Sequence, residues 1–256
     1  MNARTIRGAL AAITASAIAL HAQAAPQAAS QATPQPVAQV APRAPVVSVS
    51  DLPLEEAPSK GASRLFAVFF TGDGNFAALD KGVAAELTDR GIPVVAFNQR
   101  SYLWSAKTPE QTGADLGRIV AWYRTKWHRD SVVVIGYSRG AGTAPFAVNR
   151  LPAELRGAVK AVALIGPERT AGFHFRMRDL ISSAPAPDEL PTMPEFKKLI
   201  GTPLLCFYGS EETRTPCPDL APPFVSVRLV GGHYFENEYQ MIGRRIADFV
   251  LGETKR

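Results

Sequence analysis

The stretch VVVIGYSRG, residues 132–140, decides the fold of this chain. Its run of apolar β-branched residues predicts a buried strand. The run ends in the motif G-x-S-x-G, and an Ala-rich, helix-forming segment continues to about Leu151. In such a strand-turn-helix setting the serine hydroxyl projects into solvent, and a side chain at either flanking glycine would collide with a neighbouring element. Ser138 is therefore the predicted nucleophile, and an ordinary Gly-rich turn is the alternative.

Strands and helices alternate on both sides of this motif. Further strands are predicted at residues 65–70, 93–97, 161–165, 204–208 and 225–229, with an edge strand at 46–50. Helices are predicted at residues 75–90, from Thr108-Pro109 onward, and at 239–251. The mixed, Pro-rich segment 170–200 is predicted to form a small cap. This order implies a mostly parallel sheet covered by helices on both faces, and with the serine turn it predicts an α/β-hydrolase fold.

A serine hydroxyl is a weak nucleophile, so a base must take its proton during attack. The chain has four histidines. His21 lies near the N-terminus in a leader-like segment, His128 beside a basic residue is expected to be a solvated surface group, and His174 lies in the predicted cap. His233 follows the last strand and precedes the last helix, where this fold supplies its base. His233 is the predicted base, and a plain turn histidine is the alternative.

An acid must hold the tautomer of that histidine and stabilise the imidazolium. In chain order the acid of this fold lies between the nucleophile and the base. The segment YGSEE, residues 208–212, follows a strand and offers Glu212, which we favour, and Glu211. Glu168 and Asp219 are less favoured alternatives. A solvated turn carboxylate is the other interpretation of either favoured glutamate.

The oxyanion formed in acyl transfer needs two aimed donors. We predict the backbone N–H of Arg139 and that of Asp73, which lies in a Gly-rich loop after the strand at 65–70. The Asp73 carboxylate is a candidate site for a cationic substrate group, with a helix N-cap as the alternative. A surrounding apolar wall with cation–π capacity is predicted from Phe76, Tyr102, Trp104 and Tyr234.

The composition fits a single enzyme domain. The chain has 256 residues, of which 46% are hydrophobic and 20% charged, enough for one α/β core. Its formal net charge of +5 is diffuse, without the Lys/Arg cluster of a nucleic-acid binder, so nucleic acid is excluded as a partner. Serine hydrolysis needs neither metal nor organic cofactor, and we expect none.

The N-terminal sequence predicts export. Arg4 and Arg7 form a basic region, and an apolar run extends from Gly8 to Leu20. The A-x-A pattern that ends at Ala24 is typical of a cleavage site. The run is short for a transmembrane span, so we expect a cleaved signal peptide, with an uncleaved membrane helix as the alternative. A periplasmic location follows from that expectation.

These signals divide the chain into three parts. Residues 1–24 are the predicted signal peptide. Residues 25–45, mostly Ala, Gln and Pro, are predicted to be a disordered linker because they offer too little apolar surface to bury. Residues 46–256 are the predicted α/β-hydrolase domain.

Two cysteines, Cys206 and Cys217, lie on either side of the candidate acids. In an oxidising compartment a disulfide is the expected state, and a pair of buried thiols is the alternative. The bridge would stabilise a domain of this size modestly, by about 2–3 kcal/mol. We predict that it holds the acid-bearing loop.

Several motifs together resemble the VirJ/AcvB family of periplasmic α/β-hydrolase-like proteins. The matching segments are TGDG at 71–74, SYLW at 101–104 with Thr108-Pro109 and Asp115-Leu116, GYSRGAG at 136–142, CFYG at 206–209 and Gly232-His233. The chain differs at Arg139, where we expect an aromatic residue in many relatives, and at Asn75-Phe76, where relatives tend to have Gly-Trp.

The resemblance implies an enzyme that hydrolyses aminoacyl-phosphatidylglycerol at the membrane surface, releasing lysine or alanine. In some bacteria it also implies a link to virulence and type IV secretion, with secretion-system proteins as partners. Two other functions remain open from the sequence. One is a generic periplasmic carboxylesterase, and the other is a non-catalytic adaptor for a secretion apparatus.

Overall fold

The computed structural model describes residues 47–180 and 185–253. The predicted signal peptide and linker therefore lie outside the described residues. Among the helices that the structure does describe, none combines the length and the apolar character needed to cross a bilayer.

The described residues contain a seven-stranded sheet in the order β1-β3-β2-β4-β5-β8-β9. The strands are β1 Leu54–Ala57, β2 Leu65–Phe70, β3 Val94–Phe97, β4 Ser131–Tyr137, β5 Val159–Ile165, β8 Leu204–Gly209 and β9 Val225–Leu229, and a separate small ribbon pairs β6 Thr170–Ala171 with β7 Leu190–Pro191. β1 runs antiparallel to β3, and every other pair in the large sheet is parallel. The sheet confirms the predicted α/β-hydrolase class.

The predicted edge strand at 46–50 is wrong. Residues 47–50 form no strand, and the antiparallel edge is β1, which pairs with β3 from Leu54 opposite Phe97 to Ala57 opposite Val94. The carbonyl oxygen of Ser48 instead accepts hydrogen bonds from the Arg118 guanidinium, at 3.0 and 2.6 Å. The earlier segment therefore packs against a helix, not along the sheet.

Helices cover both faces of the sheet. They are α1 Ala78–Asp89, α2 Gln99–Tyr102, α3 Pro109–Lys126, α4 Arg139–Asn149, α5 Ala153–Arg156, α6 Met193–Lys197 and α7 Tyr239–Leu251. One apolar layer packs α3 and α4 against the sheet, and a second packs α1 and α7 against the opposite face. All six side chains of β2 are buried, as expected of a central parallel strand.

Two helix starts show how local signals succeed and fail. Thr108 caps α3 as predicted, accepting from the Gln111 N–H at 3.1 Å, while the Gln111 side chain accepts from the Thr108 N–H at 2.9 Å. The predicted start of α1 at Asn75 is early, because Asn75 has a φ of 59°. The helix begins at Ala78, where the Asp80 carboxylate accepts from the Ala77 N–H at 3.0 Å.

Candidate active site

Ser138 lies in the sharp turn between β4 and α4 with a φ of 52°, a strained conformation for a side-chain-bearing residue. The flanking glycines are both required, as predicted. A Cβ on Gly136 would lie 2.7 Å from the Cα of Ala141, and one on Gly140 would lie 2.1 Å from the carbonyl oxygen of Phe70. The chain therefore folds a nucleophile elbow.

His233 reaches this serine from the loop after β9. Its Nε2 lies 2.9 Å from the Oγ of Ser138, within hydrogen-bond distance for proton transfer. The imidazole lies against the end of β5, where a Cβ on Gly166 would be 2.9 Å from the Cε1 of His233. Gly166 therefore makes room for the base, a role that no local sequence signal indicated.

Glu212 binds the other ring nitrogen of this histidine. Its Oε1 lies 2.6 Å from the Nδ1 of His233, and its Oε2 accepts the backbone N–H of Gly209 at 2.6 Å. Glu211 is exposed, and within the described residues its carboxylate makes no hydrogen bond. Asp219 pairs with Arg169 at 2.7 Å, away from the histidine. The structure thus places the favoured glutamate against the histidine, in the arrangement of a serine-hydrolase triad.

The two predicted oxyanion donors lie beside the nucleophile. A Cβ on Gly72, next to Asp73, would be 3.5 Å from the Cβ of Ser138, so this loop passes close to the nucleophile. Within the described part of the chain, neither the Asp73 N–H nor the Arg139 N–H has a hydrogen-bond acceptor. Neither N–H group is therefore taken up by another described acceptor, as the predicted oxyanion hole requires.

A buried carboxylate, that of Asp80, lies next to this loop. Burial raises the pKa of this carboxyl to about 7, against the lowering effect of backbone donors at Ala77, Asp80 and Gly72. The Asp80 carboxylate therefore caps the beginning of α1 through the Ala77 N–H and lies near the Gly72 backbone, in the loop that carries the predicted oxyanion donor.

The Asp73 carboxylate binds the Arg139 side chain. The arginine's Nε lies 2.5 Å from Asp73 Oδ1, its Nη2 lies 3.1 Å from Asp179 Oδ2, and its guanidinium lies 5.2 Å from the ring centroid of Phe175. Burial lowers the pKa of the guanidinium, but Asp73 and Asp179 raise it further than burial lowers it. The predicted cation site at Asp73 is therefore wrong, because the Arg139 guanidinium binds both oxygens of that carboxylate.

A polar cavity of about 230 Å³ opens beside the nucleophile. Besides Ser138 and His233, its lining includes four carboxylates and one guanidinium, from Asp73, Glu168, Asp179, Glu189 and Arg139. With one cation among four acids, the cavity is acidic. Burial raises the pKa of Glu168, while the charges of Arg214, His233 and Arg139 lower it and that of Glu189 raises it.

The predicted aromatic wall does not line this cavity. Tyr102 is a core residue whose hydroxyl donates to Asp115 at 2.7 Å, and Phe76 packs against the buried layer formed by α1 and α7. Trp104 and Tyr234 are 56% and 70% exposed. Sequence reasoning missed Asp179 and Glu189, because no motif or periodicity in residues 170–200 indicates that these side chains approach the serine.

The predicted disulfide between Cys206 and Cys217 is present in the structure, with both residues buried. Cys206 lies in β8, and Cys217 follows the loop that carries Glu212. The bridge therefore ties both ends of the acid-bearing loop to the sheet.

Removal of this bridge in Cys206→Ala/Cys217→Ala is expected to lower the free energy of unfolding by about 2–3 kcal/mol, because the unfolded chain regains loop entropy. Urea unfolding of the variant and the wild type measures this difference. Mass spectrometry of native protein should find both thiols blocked before reduction. Two freely alkylated thiols would contradict the prediction.

A family model described as bacterial virulence protein (VirJ) matches residues 64–252. This range contains the elbow, the acid loop and the histidine loop. No curated protein sequence matches the chain.

Solved structures of hydrolases share the fold at low sequence identity. Est1E from Butyrivibrio proteoclasticus with ferulic acid bound is 12% identical, with a TM-score of 0.55 over 80% of this chain and 97% of that one. An α/β serine hydrolase homologue from Coxiella burnetii is 15% identical, with a TM-score of 0.55 over 77% and 90%. A lidless α/β serine hydrolase from Xanthomonas campestris is 18% identical, with a TM-score of 0.51 over 78% and 88%. These similarities establish the fold.

Proposed function

Since this chain belongs to the VirJ family of bacterial virulence proteins, we propose that it is a periplasmic serine esterase that hydrolyses aminoacyl-phosphatidylglycerol. The observation that carries the proposal is the hydrogen-bonded line from Glu212 through His233 to Ser138, which opens into an acidic cavity. These three residues have the arrangement needed for ester hydrolysis, and the acidic cavity favours an ester that carries a positive charge close to its carbonyl.

The reaction follows from the geometry. Ser138 Oγ attacks the ester carbonyl as Nε2 of His233 takes its proton, and Glu212 stabilises the imidazolium. The N–H groups of Asp73 and Arg139 bind the oxyanion. Collapse of this intermediate breaks the bond to the glycerol oxygen, which receives the proton from His233. Water, deprotonated by His233, then attacks the aminoacyl-serine ester and releases the free amino acid.

The substrate proposal rests on charge. An aminoacyl ester carries its α-ammonium group one carbon from the scissile carbonyl, so this group would enter the cavity together with the reacting atoms. Glu168 and Glu189 lie in the lining. Glu189 already accepts from the Thr170 hydroxyl at 2.5 Å and the Ala186 N–H at 3.0 Å. Glu168 is salt-bridged to Arg214 through Oε1 alone, at 2.8 Å, and among the described side chains its Oε2 has no hydrogen-bond partner, so it is the better candidate for the ammonium group.

The periplasmic location rests on two features. The N-terminal residues have the pattern of an export signal, and the buried disulfide suits an oxidising compartment. Both are compatible with a substrate in the outer leaflet of the inner membrane.

Glu168→Gln is expected to reduce kcat/KM for lysyl-phosphatidylglycerol about tenfold, because a charge-assisted contact to the ammonium group is lost. Hydrolysis of p-nitrophenyl acetate, a neutral ester, should change less than about twofold, since that ester lacks the cation. Release of lysine, measured by mass spectrometry, follows the first reaction. Asp219→Asn is the matched control, because it removes an arginine-paired carboxylate outside the cavity lining.

The same experiment separates the other candidate functions. Equal losses on both substrates would assign Glu168 to loop structure. Wild-type activity on the neutral ester alone would favour a generic carboxylesterase. A wild-type protein that neither turns over esters nor is labelled at Ser138 by a fluorophosphonate would favour the adaptor.

A further inference from the structure

Exposed large apolar side chains concentrate at one end of the described structure. Seven are exposed in the described residues, namely Trp104, Met177, Leu190, Ile200, Val225, Val230 and Tyr234. Five of them, all except Ile200 and Val225, lie in the segments that follow the carboxyl ends of β3, β5 and β9. These ends lie at the same edge of the sheet as Ser138, which follows the carboxyl end of β4. Exposed apolar surface that gathers around a site indicates an interaction face.

Three of these side chains are linked to the active site, two through ring contacts and one through its neighbours in the chain. Trp104 stacks on Phe175 at 5.9 Å between ring centroids, and Phe175 also contacts Arg139. Tyr234 lies 6.0 Å from the ring of His233. Met177 begins the short turn that carries Asp179, the second partner of Arg139. We call these three residues the apolar rim.

The position of Trp104 is held by the backbone around it. The Phe175 N–H donates to the Leu103 carbonyl at 2.7 Å, and the Lys107 N–H donates to the Phe173 carbonyl at 2.9 Å. These two bonds join the loop after β3 to Phe173 and Phe175, in the segment predicted to form a small cap. Trp104 is 56% exposed, although one face of its ring packs on the buried Phe175 ring. Phe175 therefore holds the indole in place while its other face contacts solvent.

The cations beside the apolar rim indicate which kind of partner this surface binds. Arg100 and Lys107 flank Trp104 in the chain, and neither forms a salt bridge with any described residue. Both are half-buried cations that lie over aromatic rings, Arg100 at 5.4 Å from the Phe175 centroid and the Lys107 ammonium at 5.0 Å from that of Tyr102. Other cations of the same end, Arg169 and Arg176, are each paired with an aspartate. An exposed tryptophan beside two cations that pair with no described carboxylate matches the interface of a bilayer, where indole rings lie at headgroup level and cations attract anionic phosphates.

We infer that the apolar rim, with Arg100 and Lys107, docks on the surface of an anionic phospholipid bilayer and presents the cavity beside Ser138 to lipid headgroups. The inference rests on the proposed function, which places the ester substrate in a membrane. It adds the surface by which the protein would reach that membrane. Shallow insertion of Trp104, Met177 and Tyr234 supplies apolar burial, and the two cations contact the phosphates.

Binding to vesicles tests the inference separately from catalysis. The probe is co-sedimentation with vesicles of phosphatidylglycerol and phosphatidylcholine, against vesicles of phosphatidylcholine alone. The protein is used as isolated from its host, so all variants share one N-terminus. The wild type should bind the anionic vesicles more strongly, and salt should weaken that preference.

The variants should separate the two contributions. Trp104→Ser is expected to weaken binding to both kinds of vesicle about tenfold. Lys107→Gln is expected to weaken binding to anionic vesicles alone, about fivefold. Ile200→Ser is the matched control, because Ile200 is 71% exposed but precedes β8, at the amino ends of the strands. Its binding should equal that of the wild type.

Two further measurements keep the result unambiguous. Ser138→Ala should bind vesicles as the wild type does, so failure of the esterase proposal would leave this test unaffected. Thermal unfolding checks that Trp104→Ser is folded, and Lys107→Gln tests the same surface if it is not. Absence of binding by the wild type, or equal losses in the rim and control variants, would overturn the inference.

Discussion

Ser138→Ala and His233→Ala are each expected to lower kcat for ester hydrolysis by about 10⁶-fold, and the double variant should be little worse than either. Neither group can perform the attack alone, since the hydroxyl needs a base and the base needs a nucleophile. The 2.9 Å separation of Oγ and Nε2 makes them one unit. Each substitution therefore removes the same step.

Steady-state kinetics on p-nitrophenyl acetate measures these losses, and thermal unfolding checks that each variant is folded. A fluorophosphonate should label the wild type and fail to label Ser138→Ala. Losses that multiply in the double variant would contradict a shared step. Hydrolysis by Ser138→Ala close to that of the wild type would remove the enzymatic function altogether.

Glu212→Gln is expected to lower kcat by about 10⁴-fold, because the amide would select the wrong tautomer of the histidine. The Gly209 N–H, which now donates to Oε2 at 2.6 Å, requires an oxygen acceptor. The amide oxygen of glutamine would take that position and turn its NH₂ group toward Nδ1 of His233. Nδ1 must then accept, so the proton moves to Nε2, which can no longer take the serine proton.

Glu211→Gln is the matched control for this variant. It makes the same chemical change one residue away, at an exposed carboxylate that does not bind the histidine. Its kcat should stay within about twofold of the wild type, as expected of a surface substitution. Equal losses in the two variants would show that either carboxylate can serve, and a large loss in Glu211→Gln alone would exchange their roles.

Much of the site was predictable because its signals are local. The turn around Ser138 needs glycines next to the residue that they serve, and a strand and a helix lie directly on either side. The order of nucleophile, acid and base along the chain then limited the acid to a few candidates, and His233 to one loop. The helix cap at Thr108 was equally local, since its partner Gln111 lies three residues away.

The surroundings of the triad were not predictable in this way. Asp73 looked like a free carboxylate, and Trp104 and Tyr102 looked like one aromatic wall. Their actual partners lie far away in sequence, as Arg139 joins Asp73, 66 residues before it, to Asp179, 40 residues after it. Charge pairs of this kind depend on how the cap lies on the elbow, and no periodicity records that.

The sequence by itself determined the parallel strands, the elbow, the predicted nucleophile and base, and the cysteine pair, because each depends on residues adjacent in the chain or on their order. Only the tertiary structure decided which glutamate faces the histidine and that the cavity is acidic. It also decided that Trp104 points outward. The physical reason is that a side chain's partner is set by distance in space, and parallel strands with helical crossovers bring together loops that lie far apart along the chain.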